Sequence, residues 1–271
     1  MKKITIAFLC IVFLSVKPIH LFAQVTLGVS VSANIAPPPL PVYTQPPCPV
    51  DGFLWTPGYW AYGDMGYYWV PGVWVRPPHF GFLWTPSYWG FAGGIFGWHA
   101  GYWGPHVGFY GGVNYGFGYG GVGFGGGMWQ GGAFRYNTAV MNVNTTVVHN
   151  TYVDRTVINN TTINRTSFNG PGGIDARPRP EEEVAMRENH VQATSQQMDH
   201  ERTASMDRNQ FASVNHGRPA TTAMNRVNGK SFNESGERRN NENHPNGGTG
   251  KQGVRKIHSQ RNHPHHPREA H

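Results

Sequence analysis

Eight tryptophans between Gly52 and Pro105 are the residues whose type and spacing could bind a ligand. They form four pairs, and each pair encloses four residues. Indole rings repeated at one spacing provide flat apolar faces on which a ring-shaped ligand such as a sugar can stack. The candidate binding residues, which form an aromatic platform if they are exposed, are Trp55, Trp60, Trp69, Trp74, Trp84, Trp89, Trp98 and Trp103.

Residues suited to acid–base or metal chemistry are sparse before residue 171. The carboxylates there are Asp51, Asp64 and Asp154, and none stands near a histidine or a second acid at a catalytic spacing. His99 and His106 lie close together in the sequence, but no third metal ligand accompanies them. We therefore predict a non-enzymatic protein with no catalytic residue, no metal site and no cofactor.

The four residues inside each tryptophan pair include turn-forming types. Proline followed by Gly or Ser occurs in three of the four pairs, which predicts hairpins with the two tryptophans of a pair, such as Trp55 and Trp60, directly opposite each other. The links between the pairs preserve this register. They place opposite each other Trp60 and Trp69, Trp74 and Trp84, and Trp89 and Trp98. The predicted fold is mainly β, an antiparallel hairpin meander built from four Trp-xxxx-Trp repeats, with all eight rings in one row.

A meander of this kind leaves one aromatic face uncovered. A single sheet layer buries little of its apolar area, so the rings need a cover supplied by the rest of the chain or by another molecule. Two alternatives follow. In the first the tryptophan row is a covered core, and in the second it is an exposed platform for glycan rings or another envelope component.

The Trp-x-Pro-Gly-x-Trp pattern resembles the bacterial proteins named for the YXWGXW, or WXXGXW, repeat. The later aromatic and glycine runs, at residues 108–119, 168–174 and 211–219, also look like longer members of that group. The chain departs from the pattern at Ser87, where Gly is usual, and in the fourth repeat, which lacks Pro. The resemblance implies an exported bacterial envelope protein whose biochemical role is unassigned for the family.

The first residues have the features of an export signal. Lys2 and Lys3 precede an apolar run over residues 4–16, which is short for a membrane span, and cleavage after Ala23 would make residues 1–23 a signal peptide. We therefore expect the mature protein in the periplasm, the cell envelope or the extracellular space, with no transmembrane span. Cys48 is then the one cysteine of the mature chain, and it either stays free or cross-links two chains.

Composition divides the mature chain into segments. We predict a stiff, Pro-rich linker over residues 24–51 and the tryptophan meander over residues 52–105. A Gly/aromatic low-complexity segment follows at 106–135, and it either folds over the tryptophan face or remains a flexible tract. Residues 136–170 hold a ten-residue repeat rich in Thr, Val and Asn, which predicts β-strands or short solenoid turns.

The C-terminal part is polar and carries charges of both signs. Three glutamates after Pro180 predict the start of a short helix, and residues 195–211 predict a second one, so residues 171–215 are a polar region with short helices. Residues 216–271 are rich in His, Asn and Arg, and we predict a disordered tail. The whole chain has a formal charge of +7, but its basic residues alternate with acids and lie apart from the aromatics, so we expect no nucleic-acid partner.

These observations favour three functions, which are given from the most to the least favoured. The first is a non-enzymatic, exported cell-envelope protein with a structural or interaction role. The second is a glycan-binding surface protein that uses the aromatic platform. The third is an adhesive or matrix-forming protein that self-associates through its Gly-rich and Thr/Asn-rich segments, since uncharged strands with open edges pair readily.

Overall fold

The computed structural model describes residues 29–158 and 165–227, so the predicted signal peptide lies outside the described residues. The prediction of a mainly β fold with antiparallel hairpins and short helices is confirmed. The strands, in chain order, are β1 Val29–Ala33, β2 Leu54–Thr56, β3 Tyr59–Gly63, β4 Gly66–Val70, β5 Gly72–Val75, β6 Leu83–Thr85, β7 Tyr88–Ala92, β8 Ile95–His99, β9 Tyr102–Gly104, β10 Asn114–Gly116, β11 Tyr119–Gly120, β12 Gly127–Gln130, β13 Ala133–Asn137, β14 Thr151–Tyr152, β15 Phe168–Asn169, β16 Val191–Gln192 and β17 Ala223–Met224. The α-helices are α1 Pro180–Ala185, α2 Ser195–Met206 and α3 Ala212–Asn215, and short 3₁₀ helices span Thr156–Ile158 and Arg208–Gln210.

The four repeats form two long hairpins instead of four short ones. In the first hairpin, residues 54–75, β3 pairs with β4 at the tip and β2 pairs with β5 at the base, in one continuous register. The second hairpin, residues 83–104, repeats this arrangement with β7, β8, β6 and β9. Each hairpin therefore contains two tryptophan pairs and one tip.

The predicted tryptophan partners are right at the two tips and wrong elsewhere. Trp60 lies opposite Trp69, and Trp89 lies opposite Trp98, as the link lengths predicted. The predicted pairings within each repeat and between Trp74 and Trp84 are wrong. The pairs observed at the bases are Trp55 with Trp74 and Trp84 with Trp103. The single row across an eight-stranded meander is wrong too, since these strands belong to four separate sheets.

The Pro-Gly residues interrupt the hairpin ladders and do not form turns. Pro57-Gly58 and Pro71-Gly72 face each other where the two ladders of the first hairpin meet. Proline cannot donate to a ladder, and the glycine beside it leaves room for an indole ring. A Cβ atom on Gly72 would lie 2.5 Å from Cζ2 of Trp55, and one on Gly58 would collide with Trp69. Each repeat glycine therefore leaves room for a tryptophan ring from the opposite strand to pack against its backbone.

The Gly/aromatic segment folds over the tryptophan core, which was one of its two predicted alternatives. Its buried tyrosines share one core with the repeat tryptophans, and the hydroxyl groups of Tyr115 and Tyr119 contact carbonyls of both hairpins. The Tyr119 hydroxyl donates to the Trp84 carbonyl at 2.9 Å and lies 3.4 Å from the Trp55 carbonyl. The Tyr115 hydroxyl donates to the Ser87 carbonyl at 2.6 Å. The segment therefore holds the bases of the two hairpins together.

The Pro-rich segment lies across the core, and the prediction that it is a spacer is wrong. The carbonyls of Pro39 and Pro46 accept hydrogen bonds from the indole N–H groups of Trp60 and Trp74, at 3.2 and 2.9 Å. Gln45 is fully buried, and its side-chain and backbone oxygens accept two hydrogen bonds of 2.7 Å from Asn142. Extended proline runs form no internal hydrogen bonds, so their carbonyls remain free to accept from donors in the core.

The Thr/Asn repeat forms turns more than strands, which corrects the prediction for residues 136–158. Between residues 138 and 158 the one strand is β14, which pairs in parallel with β13. The ten-residue period instead repeats a side-chain cap. Asn144 accepts from the backbone N–H and the hydroxyl of Thr146, and Asp154 does the same for Thr156. Asn and Asp side chains bond their own backbone in this way and compete with strand formation.

The predicted helices form, and the chain stays ordered beyond residue 216. Helix α2 begins with a capping box between Thr194 and Gln197 and lies against β4. Strand β17 pairs in parallel with β5, and the Thr222 carbonyl accepts from the indole N–H of Trp69 at 3.0 Å. The predicted start of the disordered tail at residue 216 is therefore wrong, because residues 216–227 complete an edge of the first hairpin. The remainder of that predicted tail lies outside the described residues.

Within the described ranges, no helix has the length and apolar character needed to cross a membrane.

Candidate ligand-binding groove

The predicted tryptophan platform is not on the surface. Seven of the eight side chains are at most 6 % exposed, and they form one core with the Gly/aromatic segment. The exposure that a platform needs is therefore missing for Trp55, Trp60, Trp69, Trp74, Trp84, Trp89 and Trp103. The structure brings these residues together as a covered core, which was the first of the two predicted alternatives.

Several indole N–H groups of the core donate hydrogen bonds to other segments of the chain. Trp89 donates to the Trp60 carbonyl at 2.8 Å and so joins the tips of the two hairpins. Trp103 donates to the side-chain oxygen of Gln197 on α2, also at 2.8 Å. A buried N–H without a partner costs about 1–3 kcal/mol, so these contacts fix which segment covers which ring.

Trp98 is the partial exception, because its ring is half-buried. It occupies the position of Trp69 in the first hairpin, and Ser87 stands where the first hairpin has Gly58. Its ring packs at 5.3 Å from that of Tyr59.

An open aromatic site lies outside the tryptophan row. A groove of about 490 Å³ runs between the loop that joins the two hairpins and the β12–β13 hairpin, and we call it the aromatic groove. Its apolar wall contains Phe80, which is 65 % exposed, and the half-buried Trp129. The two rings meet edge to face with centroids 4.6 Å apart. Their surfaces are available to a ligand without any rearrangement of the core.

Local turn chemistry positions both rings. Gly131 and Gly132 have φ values of 59° and 85°, which suits the two-residue loop that joins β12 to β13. Trp129 lies opposite the buried Phe134 in that hairpin, and its indole N–H donates to the Phe82 carbonyl at 3.0 Å. These contacts leave the indole fixed on a rigid hairpin, with part of its surface facing solvent.

Polar side chains line the same groove. Asp51 accepts a hydrogen bond from the Asn150 side-chain amide at 3.1 Å and one from the Gly52 backbone at 2.9 Å. Arg76 lies over the ring of Phe53, 5.3 Å from its centroid, and its side chain is exposed. A carboxylate, an amide and a guanidinium thus converge beside the aromatic wall. Asp51 is the one acid among the lining residues, whereas glycoside hydrolysis ordinarily uses two carboxyl groups.

Sequence reasoning missed this groove because its residues are far apart in the chain. One signal was available. Trp129 is the ninth tryptophan and the one that stands outside the repeats, so the repeat architecture does not require it. The second ring, Phe80, lies in the link after the second repeat, which the sequence assigned to a loop.

The other singled-out residues have structural roles. His99 stacks on Tyr88 with centroids 4.4 Å apart, and burial lowers its pKa. His106 bonds the Glu188 carboxylate at 2.8 Å. The described residues contain no group of three or more metal-ligating side chains. Cys48 is buried and free, and burial raises the pKa of its thiol to about 12, so the folded protein does not offer it for cross-linking.

Comparison with known proteins supports the repeat assignment over the first hairpin and the three residues before it. Neither a curated protein nor a solved structure matches the chain. Residues 51–75 match the family model of the WXXGXW repeat, in two copies, which confirms the resemblance drawn from the tryptophan spacing.

Proposed function

We propose that this is a non-enzymatic, exported interaction protein that binds carbohydrate in the aromatic groove. The observation that carries the proposal is the pair of accessible rings, Phe80 and Trp129, beside three hydrogen-bonding side chains. A volume of about 490 Å³ lies in the usual range of small-ligand sites, about 300–1,000 Å³.

The chemistry of the groove suits a sugar better than a purely apolar ligand. A sugar ring presents C–H groups on its faces, which pack on aromatic rings, and hydroxyl groups around its edge. Asp51 accepts hydrogen bonds, Arg76 donates them, and Asn150 can do both, so neighbouring hydroxyls of either polarity find a partner. These side chains are far apart in the sequence, so the sequence alone points to the tryptophan row as the glycan site and not to this groove.

The described segments give less support to self-assembly. The Gly/aromatic segment is used in covering the core, and residues 144–156 are held in side-chain-capped turns. Of the uncharged strands on which that third hypothesis depends, residues 138–158 contain the two-residue β14, which pairs with β13. Export to the cell envelope remains part of the proposal, supported by the signal-like residues 1–23, and mass spectrometry of the purified protein would test it by finding Gln24 as the mature N-terminus.

The binding test compares two exposed apolar residues. Phe80→Ala removes one wall of the groove, whereas Met65→Ala removes a side chain that is similarly exposed, at 67 %, on the tip of the first hairpin. Binding to purified envelope polysaccharides is measured by calorimetry for soluble glycans and by co-sedimentation for insoluble ones. We expect Phe80→Ala to weaken binding by about 1–3 kcal/mol, by analogy with base stacking on aromatics, and Met65→Ala to leave it unchanged.

Arg76→Gln is the second variant, since it removes the charge but keeps a hydrogen-bonding side chain. We expect a smaller loss of about 1 kcal/mol. The proposal is wrong if the wild-type protein binds none of the glycans, or if Phe80→Ala and Met65→Ala bind them equally well.

A further inference from the structure

A second, smaller cavity lies between the two hairpins and helix α2. It has a volume of about 80 Å³ and shares no lining residue with the aromatic groove. Since one water fills about 30 Å³ of liquid, the cavity has room for a group of only a few heavy atoms. Its walls combine aromatic rings with a carboxylate, and they include Tyr59, Trp84, Ser87, Trp98 and Glu201.

Helix α2 supplies the polar wall. Gln197, His200 and Glu201 lie on one face of the helix because they are separated by three and four residues. Gln197 accepts from Trp103 of the second hairpin, and the buried His200 has its Nε2 2.8 Å from the Pro71 carbonyl of the first hairpin. Because that carbonyl can only accept, Nε2 carries the proton. These two contacts fix the helix, and therefore Glu201, against both hairpins.

Glu201 is a carboxylate held by neutral donors. The Tyr59 hydroxyl donates to its Oε2 at 3.0 Å, and the Tyr68 hydroxyl donates to its Oε1 at 3.4 Å. The ion pairs of the described residues do not include Glu201, although it is half-buried. Burial, followed by the nearby charge of Glu201, raises the pKa of Tyr59 well above its usual value, so this hydroxyl stays protonated and continues to donate. A half-buried carboxylate in this setting is stabilised by a cation that enters the cavity.

The rings beside Glu201 favour a cation as well. Tyr59 and Trp98 pack with centroids 5.3 Å apart, and Trp98 is half-buried, so its ring borders both the cavity and solvent. The faces of Trp and Tyr attract ammonium groups, most strongly when water is partly excluded. We propose that this cavity binds a small ammonium group, the head of a primary or methylated amine, through the Glu201 carboxylate and the rings of Trp98 and Tyr59.

Methylammonium chloride is the probe, and methanol is its neutral control of similar size. Binding is followed by saturation-transfer NMR on the full mature chain, because a ligand with so few atoms is limited to millimolar affinity. We expect saturation transfer to the methyl protons of methylammonium, and none to methanol at the same concentration. Equal transfer to both probes, or to neither, would overturn the proposal, since the cavity then takes small molecules without regard to charge or holds only water.

Two substitutions locate the site. Glu201→Gln keeps an acceptor for the two tyrosine hydroxyls and removes the charge, and we expect it to lower methylammonium affinity by about tenfold or more. Asp199→Asn is the matched control, because it removes a carboxylate of α2 that does not line the cavity, and we expect no change. Unchanged affinity in Glu201→Gln contradicts the proposal. Should that variant fail to fold by circular dichroism, Trp98→Ala decides the question in the same way, because its ring is only half-buried.

A longer amine distinguishes the two sources of such a group. Nα-acetyl-lysine carries the same ammonium head on a flexible chain, as a protein side chain would. Saturation of its ε-methylene protons, lost in Glu201→Gln, indicates that a lysine of a partner can be bound. Binding of methylammonium alone supports the proposal and restricts the site to free small amines.

Discussion

The first and second hairpins have the same register and differ where their two ladders meet. The first places Pro57-Gly58 against Pro71-Gly72, and the second places Pro86-Ser87 against Ala100-Gly101. Gly58, Gly72 and Gly101 each have a tryptophan ring lying where a Cβ would be. At the fourth such position, Ser87, a Cβ is present, and the corresponding ring, Trp98, is half-buried while its counterpart Trp69 is fully buried.

This difference shows what the glycine of the repeat does. It supplies space for an indole ring on the opposite strand, and its backbone freedom is secondary, since Gly58, Gly72 and Gly101 do not have positive φ values. Where the glycine is replaced, the ring remains partly exposed and borders a cavity. The replacement of one repeat glycine by Ser87 therefore accompanies the difference between Trp69, which is in the core, and Trp98, which is available for binding.

The largest expected effect is the difference between truncating Trp69 and truncating its counterpart Trp98. Trp69→Ala leaves a large buried cavity, and we expect it to lower the free energy of unfolding by about 3–5 kcal/mol. Trp98→Ala removes a ring that is already half in water, and we expect a loss of less than about 2 kcal/mol. Urea unfolding of both variants beside the wild type measures the difference. Equal losses would show that the two hairpins bury these rings to the same extent.

The next effect tests the space that glycine provides. Gly72→Ala introduces a Cβ 2.5 Å from the buried Trp55 ring and 2.9 Å from the Gly58 nitrogen, so backbone as well as side chain must move. We expect a loss of about 3 kcal/mol, at the upper end for overpacked cores. The control is Gly63→Ala in the same hairpin, where the nearest atom is 3.6 Å away. That variant should unfold within about 1 kcal/mol of the wild type, and similar losses in both would contradict the steric explanation.

A smaller effect concerns the bridge between the hairpins. Tyr119→Phe removes the hydroxyl that donates to Trp84 and contacts Trp55, and it leaves a buried carbonyl without that partner. We expect a loss of about 1–2 kcal/mol in thermal or urea unfolding. Tyr62→Phe serves as the control, because Tyr62 is half-buried and its hydroxyl has no hydrogen bond among the described residues. A stable Tyr119→Phe would mean that packing alone joins the hairpins.

The smallest effect restores the missing glycine. Ser87→Gly makes the second hairpin resemble the first, and we expect Trp98 to settle onto the opposite strand while the free energy of unfolding changes by less than about 1 kcal/mol. Acrylamide quenching in a Trp129→Phe background reports the exposure of Trp98, since Trp129 is also half-buried. Unchanged quenching would show that Ser87 does not set the position of that ring.

The sequence predicted the local features of this fold better than the long-range ones. Loop lengths at the two tips identified the partners Trp60 with Trp69 and Trp89 with Trp98, because a tip of fixed length permits one register. The Pro-Gly residues predict turns, but the same residues also serve in ladder interruptions. Nothing local distinguishes these uses. The distinction depends on whether an indole ring from the opposite strand occupies the space above the glycine.

The candidate sites were largely beyond sequence reasoning. The aromatic groove assembles Asp51, Arg76, Phe80, Trp129 and Asn150 from separate segments. Their proximity follows from how the Gly/aromatic segment folds back over the hairpins, which the composition left open. The prediction that the Pro-rich segment is a spacer is wrong for a related reason. Its stiffness is visible in the sequence, but the indole N–H groups that bind its carbonyls lie elsewhere in the chain.

The burial of Cys48 determines how its thiol responds to an oxidant. Its thiol contacts the Val50 carbonyl at 3.1 Å inside the Pro-rich segment, and a pKa of about 12 leaves almost none of the reactive thiolate at neutral pH. The folded molecule is therefore redox-silent at this residue. Chains that have not yet docked the Pro-rich segment expose an ordinary thiol that can form mixed disulfides. Disulfide-linked dimers of this protein would then come from incompletely folded chains. Their fraction would measure how slowly the Pro-rich segment docks.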